Sequence, residues 1–282
     1  MTYQPSALRL QREAAKKRAS RRSVLIALLS TFLFAVILFI VISRAKGSHL
    51  VAETFFNWRF AKHAFPSVLS GLWLNLRVLL AAEVFVLIFG LALALLRTTR
   101  NPLLYPLKLL ATAYTDIFRG LPLLLVLLLV GFGVPGLQIS WIPNSAVFLG
   151  IVSLILTYSA YVAEVIRAGI EAVNPTQRMA ARALGLSAAQ TQRHVVLPQA
   201  LRKVFPPLLN DFISLQKDSG LISVLGAIDA IRAAQIETAQ FFNFTSYVVA
   251  GLLFIALTIP LTRFTDWLAR KQSKNQQHQG RW

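Results

Sequence analysis

Six side chains sit in or beside stretches too apolar to accommodate them without a reason: Glu83, Arg119, Glu164, Lys217, Asp218 and Ser219. An ionisable group at the centre of a membrane-crossing helix costs at least about 2.5 kcal/mol, so it is expected to face a protein interior or water. Arg119 stands before Gly120-Leu121-Pro122, and Lys217-Asp218-Ser219 stand before Gly220. Gly and Pro so placed interrupt or kink a helix. Opposite charges beside a helix break suit a zwitterion, whose carboxylate and ammonium need complementary partners. The same groups also suit pairing with one another to fix helix packing. For Glu83, near the middle of its apolar stretch, bundle pairing and lining a path are both open.

Other chemistry has no residues to perform it. The chain contains no G-x-x-x-x-G-K-[ST] to cradle nucleotide phosphates, no H-E-x-x-H and no G-x-S-x-G. His49, His63, His194 and His278 are too dispersed for a metal site. Without cysteine there is no disulfide framework and no thiolate. The chain is therefore expected to be non-catalytic, with no metal or cofactor of its own.

The elements that position these groups are read from composition. Of the 282 residues 56% are hydrophobic and only 14% charged, where a soluble domain carries roughly 25% charged residues. Mean hydropathy is +0.60. Six apolar stretches follow one another, at residues 24–42, 68–96, 109–134, 146–166, 204–227 and 247–264. The first, at 1.5 Å per residue, reaches about 28 Å and can cross the hydrocarbon core; it is longer than a signal peptide's apolar region, and no A-x-A-like site follows. The expected fold is all-α, a polytopic membrane bundle of about six transmembrane helices.

The formal charge of +18 would suggest nucleic acid if the cations formed one stripe. Instead 21 of the 29 Lys and Arg fall in residues 1–23, 97–108, 167–203 and 263–282, alternate gaps between the apolar stretches. By the positive-inside rule these segments and both termini are cytoplasmic, and no nucleic-acid partner is expected. The organisation expected is a basic tail 1–23, a first helix 24–42, an outer loop 43–67, a main membrane domain 68–268 and a C-terminal tail 269–282 that frays. The cations from Arg9 to Arg22 suit a topology-setting flank or a surface helix on anionic lipid. Trp58, Phe55 and Phe56 in the outer loop, like Trp73 and Trp141, suit an interfacial position.

One cytoplasmic loop has a structure of its own. Asn174 is a good N-cap and Pro175 suits the first helical position. Alanine-rich sequence continues to Gly185, able to adopt a left-handed C-terminal cap. Ser187 and Gln190 then make a capping-box pattern for a second short helix, expected to stop near Leu197-Pro198. Two short helices edged by Arg178, Arg182 and Arg193 suit docking into a partner's groove.

At this loop, residues 174–198, the sequence resembles the permeases of ABC importers. Met179-Ala180-Ala181, three residues, Gly185, nine residues, Val195, one residue and Leu197-Pro198 reproduce the spacing of that family's cytoplasmic motif, with Met179 where Glu is usual. Phe118 to Leu124, Tyr161 to Ile170, Leu197 to Arg202 and Lys217-Asp218-Ser219 look like the polar amino acid branch, the histidine and glutamine permease type. The resemblance covers about residues 69–270. It implies a coupling loop at Arg178, Met179, Ala180, Ala181, Arg182, Gly185 and Pro198, inserted in a separate ATP-binding subunit that holds ATP and Mg. It also implies a second permease copy, identical or similar, an extracytoplasmic solute-binding protein, a polar amino acid as substrate and the inner membrane as location. A secondary transporter or channel has no use for the spaced loop; a non-transporting membrane scaffold or sensor is the other alternative, told apart by whether a nucleotide-binding partner co-purifies.

Overall fold

The computed structural model describes the backbone of residues 7–99 and 101–279 and the side chains of residues 23–99 and 101–271. Among these residues there are helices and no strands. The chain divides into two units, Met1–Phe56 and Asn57–Trp282.

The first unit holds α1 (Ala7–Ser43) and α2 (Ser48–Phe55). Within α1, Ser23–Ser43 is long and apolar enough to cross a membrane. The expected tail 1–23 is not separate from this span, since one helix runs through both from Ala7 onward. Residues 1–6 and the side chains from Arg9 to Arg22 lie outside the described residues, and with them the choice between flank and surface helix. The expected outer loop 43–67 is largely helical, in α2 and in the start of the next helix.

The second unit is a bundle. Asn57 caps α3 (Trp58–Thr98) by accepting from the backbone N–H of Arg59 at 3.0 Å, and its own N–H donates to Thr245 Oγ1 at 3.1 Å. The start of α3 is thereby tied to the start of α11. At 41 residues α3 is about 60 Å long, twice the hydrocarbon core, so part of it must lie beyond the core. Then come α4 (Tyr105–Gly120) and α5 (Leu123–Gly136), which meet at a 107° bend, the interruption that Gly120-Leu121-Pro122 leads one to expect. The central helix α6 (Ala146–Glu171) leads to the short α7 (Pro175–Ala183) and α8 (Ala188–Thr191).

The second short helix does not stop at Pro198. A π-helical turn, Gln192–Val196, carries the chain directly into α9 (Leu197–Asp218). Pro198 is accommodated because the π-helical turn before it loosens the i→i−4 ladder at the point where proline has no N–H to give and its ring would crowd the preceding carbonyl. At the expected place the fifth crossing changes from α to 3₁₀, α9 ending at Asp218 and a 3₁₀ segment continuing over Ser219–Leu225, but the 49° bend to α10 (Ala230–Phe241) falls later, at 226–229, where Gly226 is left-handed. Last, α11 (Thr245–Gln279) continues as helix through most of the expected C-terminal tail, and residues 280–282 fall outside the described residues. Among the described residues four helices are long and apolar enough to cross a membrane, with up to six crossings if each bent pair is one.

Two apolar clusters hold the second unit together. Val78, Leu79, Ala82 and Val86 of α3 pack with Leu127 of α5, Leu154, Tyr158 and Val162 of α6 and Leu215 of α9. Nearer the start of α3, Ala64, Val68 and Leu72 meet Ala230, Ala233 and Ala234 of α10 and Val249 and Ala250 of α11. Small residues there let helices approach closely. Gly71 is the extreme case, since a Cβ added to it would lie 2.4 Å from the carbonyl carbon of Asp229 and 2.5 Å from the nitrogen of Ala230. Backbone cannot yield as a side-chain tip can. Gly71→Ala is expected to destabilise the bundle by about 1–3 kcal/mol, the usual cost of overpacking. Gly133→Ala, with open space around its Cβ, is the control. Thermal unfolding of the two variants in detergent checks this, and equal midpoints would contradict it.

Candidate substrate path and coupling loop

The break after α9 is built from buried polar groups. Asn75 of α3 donates through Nδ2 to the Ser219 carbonyl at 2.9 Å and to Asp229 Oδ2 at 3.1 Å, and its Oδ1 accepts the Ala230 N–H at 3.1 Å. One side chain thus supplies bonds to both ends of the interrupted segment. Asp229 also caps α10 by accepting from the Arg232 N–H at 2.8 Å. Ser219 turns its hydroxyl back to the Gln216 carbonyl at 2.7 Å, and Thr258 of α11 donates to Gln216 Oε1 at 2.8 Å. A break bonded at both ends in this way is a fixed shape within the membrane domain, although Gln216 Nε2 is buried without a hydrogen-bond partner among the described residues.

Facing it, the Tyr158 hydroxyl of α6 donates to Asp218 Oδ2 at 2.6 Å. The Tyr161 ring lies 5.9 Å from the Tyr158 ring, centroid to centroid. Asp211, two turns before Asp218, has a buried Oδ2 without a hydrogen-bond partner and interacts electrostatically with Glu83 on α3. Glu83, Asp211 and Asp218 therefore gather three carboxyl groups between α3, α6 and α9. Lys217 is exposed beside them.

Arg119 and Glu164 belong to a different group. Glu164 Oε1 accepts from Arg167 Nη2 at 2.5 Å, and Oε2 accepts from Arg97 Nη1 at 2.8 Å, with Arg119 Nη1 3.6 Å away. Arg167 also pairs with Glu171 at 2.5 Å. This network ties the last turns of α3 and α4 to α6, about 9 Å along α6 from Tyr158. Tyr114 of α4 reinforces it by donating to the Leu156 carbonyl at 2.7 Å. The structure thus separates the six residues: Glu83 and Asp218 lie in the acidic group beside Ser219, Arg119 and Glu164 are bound to each other, and Lys217 faces outward.

With three arginines on one carboxylate that is 22% exposed, Glu164→Gln is expected to cost about 1–3 kcal/mol of stability, below the upper range for fully buried charged hydrogen bonds. The observable is less folded protein at an unchanged solute concentration for half-maximal uptake. A raised half-saturation at matched protein level would instead put Glu164 in the path.

In the loop, every cap expected from sequence is formed. Asn174 accepts from the Thr176 N–H at 2.9 Å. Ser187 and Gln190 cap each other reciprocally, at 3.2 and 2.8 Å. Gly185 has φ +86°, and the bonds Leu186 N–H to Ala181 O and Gly185 N–H to Arg182 O complete a Schellman motif. Met179 and Leu184 are 63% and 83% exposed, an apolar pair on the outward side. Ala180 is exposed too, whereas Ala181 is buried. Arg178 faces inward, donating to the Ile170 carbonyl, and Arg182 donates to the Leu186 carbonyl at 2.8 Å. The inward turn of Arg178 corrects the picture of an outward basic edge: one face of α7 must cover the bundle. Lys203 adds a tie to the Ala172 carbonyl at 2.5 Å.

Sequence reasoning did not single out Asp211, Tyr158, Asn75, Asp229 or Arg97. A signal existed for Asp211, because carboxylates seven apart lie on one helical face. For Asn75 and Arg97 there was none, since their partners are 144 and 67 residues away.

Residues 87–274 match the family described as binding-protein-dependent transport system inner membrane component. The arginine transport system permease protein ArtQ of Bacillus subtilis is 34% identical over 212 residues, covering 74% of this chain and 94% of that protein. The probable glutamine ABC transporter permease protein GlnM of the same organism is 33% identical, covering 75% and 95%. Among solved structures, an amino acid ABC transporter with histidines superposes with a TM-score of 0.67 at 35% identity, over 73% of this chain and 94% of that one. The MetNI methionine ABC transporter in an inward-facing conformation, at 22% identity, gives 0.60 and shares the fold.

Proposed function

The chain belongs to the family of binding-protein-dependent transport system inner membrane components, as the membrane-spanning permease subunit of an ABC importer, and from this premise we propose that it carries a polar amino acid. The observation that carries the reading is the doubly capped α7–α8 pair, joined to the broken α9–α10 crossing by continuous helix. Such a pair transmits displacement because its ends are fixed. Met179 and Leu184 would enter the groove of an ATP-binding subunit, which holds ATP and Mg and does the hydrolysis. Closure of two such subunits would move α9 and exchange inward-open for outward-open states, by as much as the two states differ in affinity for the closed partner.

The acidic group suits the ammonium of an amino acid, with Tyr158 holding Asp218 in place. Lys217 argues for a second permease copy. An exposed cation within a crossing costs at least about 2.5 kcal/mol against lipid, so this side of α9 should face water or another subunit. An extracytoplasmic solute-binding protein would deliver the solute. The basic segments 97–108, 167–203 and 263–282 support a cytoplasmic placement for the loop and both termini in the inner membrane.

Two tests follow. A tagged chain extracted in mild detergent is expected to bring down a nucleotide-binding protein, and its consistent absence would count against the importer reading. Because the chain has no native cysteine, single cysteines report sidedness cleanly. Asn144→Cys and Ala189→Cys both fall at exposed positions. Only the first should react with an impermeant thiol reagent outside intact cells, and reaction of the second would invert the topology.

A further inference from the structure

A cleft of 610 Å³ lies between the inner ends of α3, α4 and α6 and the bundle-facing side of the α7–α8 pair. Arg97, Lys108, Arg178 and Arg182 line it, against a single carboxylate, Glu171, that Arg167 already holds. Three of the four cations make their hydrogen bonds to neutral carbonyls: Lys108 to Thr99, Arg178 to Ile170 and Arg182 to Leu186. Such bonds satisfy donor geometry and leave the charge uncompensated. Two further donors, on lining residues but buried just behind the wall, have no partner among the described residues. One is Arg178 Nε; the other is the hydroxyl of Thr191, a residue only 5% exposed. Buried polar groups without partners are rare and call for a ligand or water.

We propose that this cleft binds a phosphate-bearing anion, the headgroup of an anionic phospholipid, which braces the coupling helices against the inner ends of α3 and α4. Clustered cations with spare hydrogen-bond donors match a group with several charged acceptor oxygens. The depth argues for lipid as the source. Arg97 follows the last apolar residue of α3 and Lys108 precedes the next apolar stretch, so both stand at the boundary of the hydrocarbon. Leu95 and Ile170 give the cleft an apolar side that a free ion would not use.

The test uses the full chain purified with its ATP-binding subunit from mixed phosphatidylglycerol and phosphatidylcholine, with retained lipid counted by native mass spectrometry. Lys108→Gln and the isosteric Thr191→Val are read separately, so that a folding defect in one does not decide the matter. Each is expected to lower phosphatidylglycerol retention roughly tenfold and leave phosphatidylcholine unchanged. Arg193→Gln, an exposed cation outside the cleft, should change neither. If protein from phosphatidylcholine alone binds inorganic phosphate, and both cleft variants abolish that, the source is the free anion and the site stands. Wild-type retention in both cleft variants without phosphate binding, or an equal loss in Arg193→Gln, would overturn the proposal in favour of diffuse attraction to the basic surface.

Discussion

Asp218→Asn is expected to raise the solute concentration for half-maximal uptake roughly ten- to a hundredfold, the equivalent of about 1.5–3 kcal/mol for a charge-assisted hydrogen bond. Asp218 stands at the last α-helical position before the break, where the chain turns into the 3₁₀ segment, and Tyr158 fixes one of its oxygens at 2.6 Å. A carboxylate oriented by a phenol and flanked by Asp211 and Glu83 is set up to meet a cation. Tyr158→Phe removes the orienting bond and keeps the charge, so its effect should be smaller, about three- to tenfold. If packing were the role, both variants would lower the amount of folded protein and leave half-saturation where it was. Uptake against solute concentration, at matched protein level, separates the outcomes.

Gly185→Val is expected to reduce transport at least about tenfold while the protein still inserts and assembles. Nothing lies within 4 Å of a Cβ at this position, so the substitution meets no steric obstacle from the rest of the fold. The cost comes from the backbone: φ is +86°, a region that disfavours L-residues by roughly 1–2 kcal/mol and β-branched ones by more. Relief of that strain would unwind the Schellman motif and change the angle between α7 and α8. Gly185→Asn, whose side chain tolerates the left-handed region, should retain most of the transport. Solute-stimulated ATP hydrolysis by the assembled complex is the readout, and wild-type stimulation in the valine variant would show that the cap does not transmit.

What the sequence makes legible follows from the range of the interactions involved. The caps of the loop depend on residues within a few positions of one another, and Asn174, Gly185, Ser187 and Gln190 all behave as their types require. The first helix break was likewise local, written in Gly120-Leu121-Pro122, and the charges before Gly220 mark where α9 gives way to 3₁₀. Apolar runs mark where a helix crosses lipid and are silent about helix that continues beyond it. The first turns of α3 fall for that reason within the expected outer loop 43–67, and α10 in the gap between the fifth and sixth apolar stretches, although Asn57 and Asp229 are ordinary N-caps. Pairings were the least legible part. That Glu164 meets Arg97 and Arg119, while Asp218 meets Tyr158, depends on the rotation of α3, α4, α6 and α9 about their axes. No single segment encodes that rotation, so charges of one kind in the sequence became two separate groups in space.

The central claim is that this chain moves an amino acid through the membrane on energy delivered at the α7–α8 pair. The direct measurement is accumulation of labelled amino acids by proteoliposomes holding the permease and its ATP-binding subunit, with solute-binding protein outside and ATP inside. Accumulation of a polar amino acid that requires both additions, and fails in Gly185→Val, is the predicted result. Accumulation driven by an ion gradient without ATP would contradict it.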